Sequence, residues 1–300
     1  MSTDDPPHTD PPHTDRPHGN PPHTDRPHAD PPHANLHYDS SYENPYVDYA
    51  RMDTLHSLQE PRTGSPFEMS FILISQVKEL LFRMVHLEVS QARGALREDR
   101  PEAACRALAR AVRNQRVLTG CWESMNALTV DEFLVFRDVL GTASGTQSFM
   151  YRLLEFTLGN RNAAMTQSSD FDAFPELRAE LGRPSVYDEA LRHLARSGLP
   201  VPEHVVDREP AAAHEPDEDV EKVWMTVYRA PREHPAAFAL AEQLLEVAYQ
   251  FSHWRATHLL VVERMLGGKR GSAGSDGAAW LRKINEHRFF PELWTMRSAL

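Results

Sequence analysis

The sequence predicts an all-α protein, a bundle of long antiparallel helices behind a disordered N-terminal tail. Three observations predict it. Apolar residues recur at helical spacing through most of the chain after residue 65, capping signatures stand where those runs begin, and no convincing alternating strand interrupts them. The 300 residues, 41% apolar, are enough to bury a sizeable core.

Residues 1–40 stand apart. From Pro6 the chain reads PPHTD PPHTD RPHGN PPHTD RPHAD PPHAN, six tandem pentapeptides. Proline at this density removes backbone donors and blocks helix formation, and there is nothing apolar to bury, so the segment is expected to be disordered or polyproline-like. Its histidines (His8, His13, His18, His23, His28 and His33) read either as a solvated tail or as a weak metal-binding tract; the ordering cost of so flexible a ligand set favours the tail. Residues 41–300 form the folded domain.

Within that domain "SPFE", Ser65 to Glu68, has Ser at the cap, Pro at the first helical position and Glu at the third, a capping box. Phe71, Ile74, Leu81, Met84 and Val85 continue the pattern, and the helix is predicted to run to about Arg97. A second helix starts near Pro101 and carries Leu108, Val112, Val117 and Leu118. "TVDE", Thr129 to Glu132, is another capping box, with Gly141 placed to close its helix. Further helices are predicted over 145–158, with Gly159 as the stop, and near 173–181, 184–197 and 217–229. A long one spans about 235–266 and ends at Gly267-Gly268.

Composition narrows the function. A formal charge of −11 argues against a nucleic-acid binder working through a basic face. Cys105 and Cys121 are the two cysteines, both within helical patterns, so a disulfide scaffold is not expected and a reducing cytoplasm fits. No apolar run reaches membrane-spanning length and the N-terminus lacks the apolar core of a signal peptide, so a cytoplasmic protein without membrane partners is expected.

HExxH, paired CxxC, GxSxG and phosphate-loop motifs are absent. "GGKRGSAGSDG", Gly267 to Gly277, follows a helix with no strand before it, so it reads as a flexible flap over a pocket or as an ordinary linker rather than a nucleotide loop. His253 and His258 on the long C-terminal helix are five apart, roughly 140° around the axis, so both cannot face one pocket. A lone histidine on an apolar helix is by itself an ordinary core residue.

Five segments carry a resemblance: "PYVDYARMDTLHSLQ" (45–59), "FEMSFILISQVKELLF" (67–82), "FRDVLGTASGTQSFMYRLLEFTLGN" (136–160), "HWRATHLLVVERMLGGKRGSAGSDG" (253–277) and "FFPELW" (289–294). Together they resemble tryptophan 2,3-dioxygenase and its relatives, the histidine-ligated haem-dependent aromatic oxygenases. The resemblance implies a haem-binding helical bundle, with haem b as cofactor and an aromatic amino acid plus dioxygen or hydrogen peroxide as substrates. It makes His258 the axial ligand of the haem iron, with Trp254 one turn earlier against the ligand or haem edge. Arg137 of FRDVLG takes the place of the arginine that forks onto the substrate's α-carboxylate, where two parallel hydrogen bonds fix orientation as well as charge. The Ser144-Gly145 turn admits close approach of backbone to ligand, and Ser272 stands where the family has a threonine near the substrate's ammonium group. Tyr46 and Tyr49 lie on the helix that completes a neighbouring subunit's pocket, which implies a homotetramer or homodimer.

The chain also departs from the family pattern. Ser75 stands at the distal histidine, with Phe71 one turn before it. Phe133 stands for a tyrosine, Thr146 for a phenylalanine and Ala50 for a leucine. A site that hydrogen-bonds a substrate group discriminates strongly, so changing the group changes the substrate. On this ground the expected activity is 3-hydroxylation of L-tyrosine to L-DOPA with peroxide, as in antibiotic biosynthesis. Ser75 or His56, seven residues after Tyr49 on the same helix face, would orient the phenol or assist proton transfer. The alternatives are 2,3-dioxygenation of L-tryptophan to N-formylkynurenine, oxygenation of a modified tryptophan or tyrosine, and a haem-binding sensor that lost turnover. Retention of Arg137 speaks against the sensor, which needs no carboxylate anchor.

Overall fold

A computed structural model describes residues 43–166, 169–267, 269 and 277–300; the repeat tail, Ser272 and most of the glycine-rich segment lie outside them. Among the described residues there are helices and no strands. In chain order they are α1 (Pro45–Ala50), α2 (Met52–Leu55), α3 (Pro66–Arg97), α4 (Pro101–Asn126), α5 (Val130–Arg137), α6 (Phe149–Leu158) and α7 (Ser169–Ala173). Then come α8 (Pro175–Leu181), α9 (Val186–Arg196), α10 (Glu203–Val206), α11 (Glu218–Arg229), α12 (Pro235–Leu266), α13 (Gly277–Ile284) and α14 (Glu292–Thr295).

Three long helices make the frame: α3 lies along α4, α4 along α12, and α6 and α9 pack against another side of α3. On α3 the buried positions Leu81, Phe82, Val85, Val89, Ala92 and Leu96 recur every three or four residues, an apolar stripe that must find a partner. The partner stripe on α4 is rich in small residues, with Ala104, Ala107 and Ala111 all buried beside Leu108, which lets the two backbones approach closely. A short reversal joins them, with Asp99 left-handed at φ 53° and the Arg100 amide donating back to the Ala95 carbonyl at 2.8 Å. Asp99 also accepts hydrogen bonds from Arg196 and His193 of α9, which hold its carboxyl down at about 2. Burial of each large side chain contributes about 1.5–3 kcal/mol, so this seam dominates over any single cap.

The second capping box forms as predicted: Thr129 Oγ1 accepts from the Glu132 amide and the Glu132 carboxylate accepts from the Thr129 amide. The first does not. Ser65 makes no side-chain cap; Glu68 instead turns its carboxylate to the amides of Arg62 and Thr63 and to the Thr63 hydroxyl. The incoming loop offers three donors at once, so it wins over one reciprocal bond. Gly141 closes a 3-10 turn over Asp138–Leu140 rather than the helix itself. The helix predicted over 145–158 splits into a 3-10 turn at Gly145–Gln147 and α6, which Ser148 caps through the Tyr151 amide at 3.0 Å. Gly159 does stop α6: it adopts φ 109°, where an added Cβ would stand 3.3 Å from Ser185 Oγ.

The N-terminal segment also differs from expectation. Arg51 adopts φ 53° and breaks the helix between α1 and α2. Tyr49 and His56 therefore do not share one helix face, and the periodicity that linked them is void.

Candidate functional site

The helices enclose an apolar cavity of about 720 Å³. Regular spacing builds two of its walls. Phe71, Ser75, Lys78 and Phe82 descend α3 in steps of four, three and four, and Trp254, His258, Val261 and Met265 do the same on α12. Trp122 and Met125 of α4, Phe133 of α5, the turn at Ala143–Gly145, Tyr151 of α6 and Leu281 and Ile284 of α13 close the rest. An aromatic layer fixes the floor, with Trp254 packed between Phe82, Tyr151 and Trp122 at ring centroids 5.3–5.7 Å apart.

His258 lies stacked on Trp122, 4.3 Å between centroids and 13° between planes. Its ring nitrogens make no hydrogen bond among the described residues. Burial, with the Lys78 charge second, depresses its pKa to about 3, so the imidazole is neutral at any physiological pH and its lone pair is available. His253 points elsewhere, exposed and stacked on Tyr249, as the five-residue spacing requires.

Behind the cavity a charged clasp ties α6 to α12. Arg255, 1% exposed, donates to Glu155 at 2.6 Å and to the Tyr151 hydroxyl at 3.0 Å. Arg152 and Asn160 also donate to Glu155. The clasp sits one turn before His258 and fixes the azimuth of that part of α12. The Arg255 pairs were not legible in the sequence, because their partners lie about a hundred residues away. Lys78 was missed too, although its place on the Phe71–Ser75 face could have disclosed it. Its ammonium lies 4.3 Å over the Trp122 ring, and burial lowers its pKa to about 8.

Of the residues singled out from the sequence, Phe71, Ser75, Phe133, Ser144, Gly145, Trp254 and His258 line this cavity. Ser75 donates its hydroxyl to the Phe71 carbonyl at 2.7 Å. Arg137 is half-buried at the end of α5, between the wall residues Phe133 and Leu140 but not itself on the wall. His56 caps α2 and is likewise off the wall, so the structure does not support it as a group reaching into this cavity; its neighbours Leu55 and Leu58 line it instead. Tyr46 and Tyr49 are 67% and 91% exposed and far from forming a pocket within one chain. Ser272 falls outside the described residues. A second cavity of about 600 Å³, bordered by Tyr187, His214 and Phe290, holds none of these residues.

The cavity lining fits the flat, largely apolar haem that the resemblance implies. The Trp122 and Trp254 indole nitrogens are buried with no partner among the described residues, and His258 offers a neutral nitrogen. A Cβ at Gly145 would meet nothing within 4 Å, so the protein's own packing does not demand that glycine. Among the described residues no three His, Cys, Asp or Glu side chains cluster, so iron here would take its remaining ligands from the prosthetic group.

A helical bundle that offers one neutral imidazole to an apolar cavity defines a class of single-histidine cofactor-binding proteins. The sequence comparisons make the class specific. The family profile for tryptophan 2,3-dioxygenase matches residues 32–176 and 223–300. The tryptophan 2,3-dioxygenase of Exiguobacterium sibiricum is 37% identical over 268 residues, 89% of this chain and 96% of the relative. That of Bradyrhizobium diazoefficiens is 39% identical over 87% of this chain and 95% of the relative, and that of Geobacillus thermodenitrificans 37% over 88% and 95%. The chain belongs to the tryptophan 2,3-dioxygenase family. Membership implies a haem-dependent oxidoreductase acting on an aromatic amino acid.

Proposed function

We propose that the protein binds haem b through His258 and inserts both atoms of dioxygen across the indole 2,3-bond of L-tryptophan or a substituted tryptophan. The observation that carries the haem reading is the half-buried, neutral His258 facing the cavity beside two indole nitrogens that have no partner among the described residues. The relatives, identical at 37–39% of positions over most of the chain, carry the dioxygenase name; they support this alternative over the tyrosine 3-hydroxylation expected from the departures at Ser75, Phe133, Thr146 and Ala50.

Bound haem supplies activation of dioxygen at iron. The protein's residues do the rest. Phe71, Phe133 and Phe136 pack at centroid distances of 5.3–6.1 Å and form an aromatic corner, of which Phe71 and Phe133 face a planar guest. Ser75 has committed its proton to the Phe71 carbonyl and retains lone pairs, so toward a guest it is an acceptor, matched to an N–H donor such as indole. Arg137 anchors the α-carboxylate, and the Ser144-Gly145 turn lies against the amino-acid end. The apolar wall excludes water from the reacting ring.

The outer face of α3 supports assembly. Leu73, Val77, Leu80, Met84 and Leu87 are spaced by four, three, four and three and are 39–51% exposed. Such a stripe on a monomer is an interface awaiting a partner, and supports a homodimer or homotetramer in which Tyr46 and Tyr49 of one subunit serve the next. No described helix is long and apolar enough to cross a membrane.

The test is turnover by haem-loaded protein under labelled dioxygen with ascorbate. N-formylkynurenine carrying both labelled atoms is the expected product. A singly oxygenated L-tyrosine formed with peroxide would restore the hydroxylase reading. No turnover on any aromatic amino acid would leave a haem sensor.

A further inference from the structure

We propose that Lys78 is a carboxylate anchor of the cavity, and that the carboxylate it holds is a propionate of the haem. The inference rests on the haem reading above and extends it to a residue that reading does not use.

Lys78 is the one lysine or arginine among the described residues of the cavity wall. It makes no hydrogen bond and no ion pair with any described residue. Its ammonium sits over the Trp122 ring at 4.3 Å, a weaker partner than an anion. The adjacent acid, Glu79, is engaged by Ser148, and burial raises its pKa, so it is a poor counter-charge. The remaining neighbour is the Cys121 thiol, which burial keeps protonated. An ammonium held in this way, between apolar walls and aimed at a cavity, is costly until an anion arrives.

The position selects the anion. Trp122 is shared: Lys78 lies on its ring, and His258 stacks against it at 4.3 Å. A planar group held at the His258 imidazole therefore comes within reach of the Lys78 ammonium. Haem carries carboxylates on such a plane. The substrate carboxylate has its own candidate in Arg137, at the end of α5.

The experiment titrates the apo-protein with haem and with haem dimethyl ester, in the wild type and in Lys78→Met and Lys78→Arg. Circular dichroism of each apo-protein verifies the fold. The wild type is expected to bind haem about tenfold more tightly than the ester. Lys78→Met is expected to lose that preference and to release haem to apomyoglobin about tenfold faster, and Lys78→Arg to recover much of both. The wild-type ester comparison stands even if a variant fails to fold. Unchanged haem retention and unchanged ester discrimination in Lys78→Met would overturn the anchor while leaving the haem reading intact. Normal haem retention with weakened L-tryptophan but unweakened tryptamine binding would move Lys78 to the substrate carboxylate and overturn the propionate assignment. Failure of the wild type to take up haem would overturn both readings together.

Discussion

Ser75 shows how a single side chain narrows what a pocket can ask of its guest. Its hydroxyl donates to the carbonyl one turn back, as serines within helices do, so only its lone pairs face the cavity. If it accepts the indole N–H, Ser75→Ala should lower kcat/KM for L-tryptophan about five- to tenfold and leave 1-methyltryptophan, which has no such proton, nearly unaffected. His258 is the other extreme: a residue whose ordinary chemistry, protonation near neutral pH, has been removed by burial. His258→Ala should fold, because the ring makes no hydrogen bond among the described residues, but the reconstituted protein should show no Soret band. Arg137→Ala should reduce kcat/KM by about 2–4 kcal/mol of transition-state binding if the guanidinium grips the α-carboxylate, while the same substitution should not affect a substrate lacking that group.

Among the elements, α6 and α12 depend on a polar contact inside an apolar seam. Glu155 accepts from Arg255, Arg152 and Asn160, and the Arg255 guanidinium also lies over the rings of Phe251 and Phe289. Removing one member strands the others out of water. Glu155→Gln should therefore cost about 3–5 kcal/mol in denaturant unfolding, well beyond an exposed pair such as Arg100–Glu98. The same clasp sets a pH response. His287 accepts from Arg255, and burial, then the Arg255 and Arg288 charges, depress its pKa to about 4. The unfolded chain binds this proton near pH 6.5 and the folded chain does not, so the contribution is full above about 6.5 and falls as pH drops toward 4. The slope is at most about 1.4 kcal/mol per pH unit for one group. Stability curves at pH 7, 6, 5 and 4 should show a smaller acid loss in His287→Asn than in the wild type.

For the whole molecule the proposed assembly rests on the exposed stripe on α3. A monomer would leave five large apolar side chains in water along one helix. Replacing Val77 and Met84 together by Glu should shift sedimentation from an oligomer toward a monomer, with loss of activity if Tyr46 and Tyr49 act in the neighbouring subunit. Deleting residues 1–40 should leave haem content unchanged if the tail is only a solvated repeat.

The sequence by itself determined the long helices and their order, because capping residues, glycine stops and helical apolar spacing are local signals. Thr129, Gly159 and the stripe of Leu81, Val85, Val89 and Leu96 could each be read within a turn or two of the residue itself. Through motifs long enough to be specific, it also singled out His258, Ser75 and Phe71, which the structure brings to one cavity. Only the tertiary structure decided the rest. Arg51 broke a helix that periodicity joined, since a left-handed residue leaves no mark in an apolar pattern, and His56 lost its place with it. The Glu155–Arg255 clasp and the Lys78 ammonium over Trp122 bring together groups from different helices, and such pairs exist only once those helices have packed.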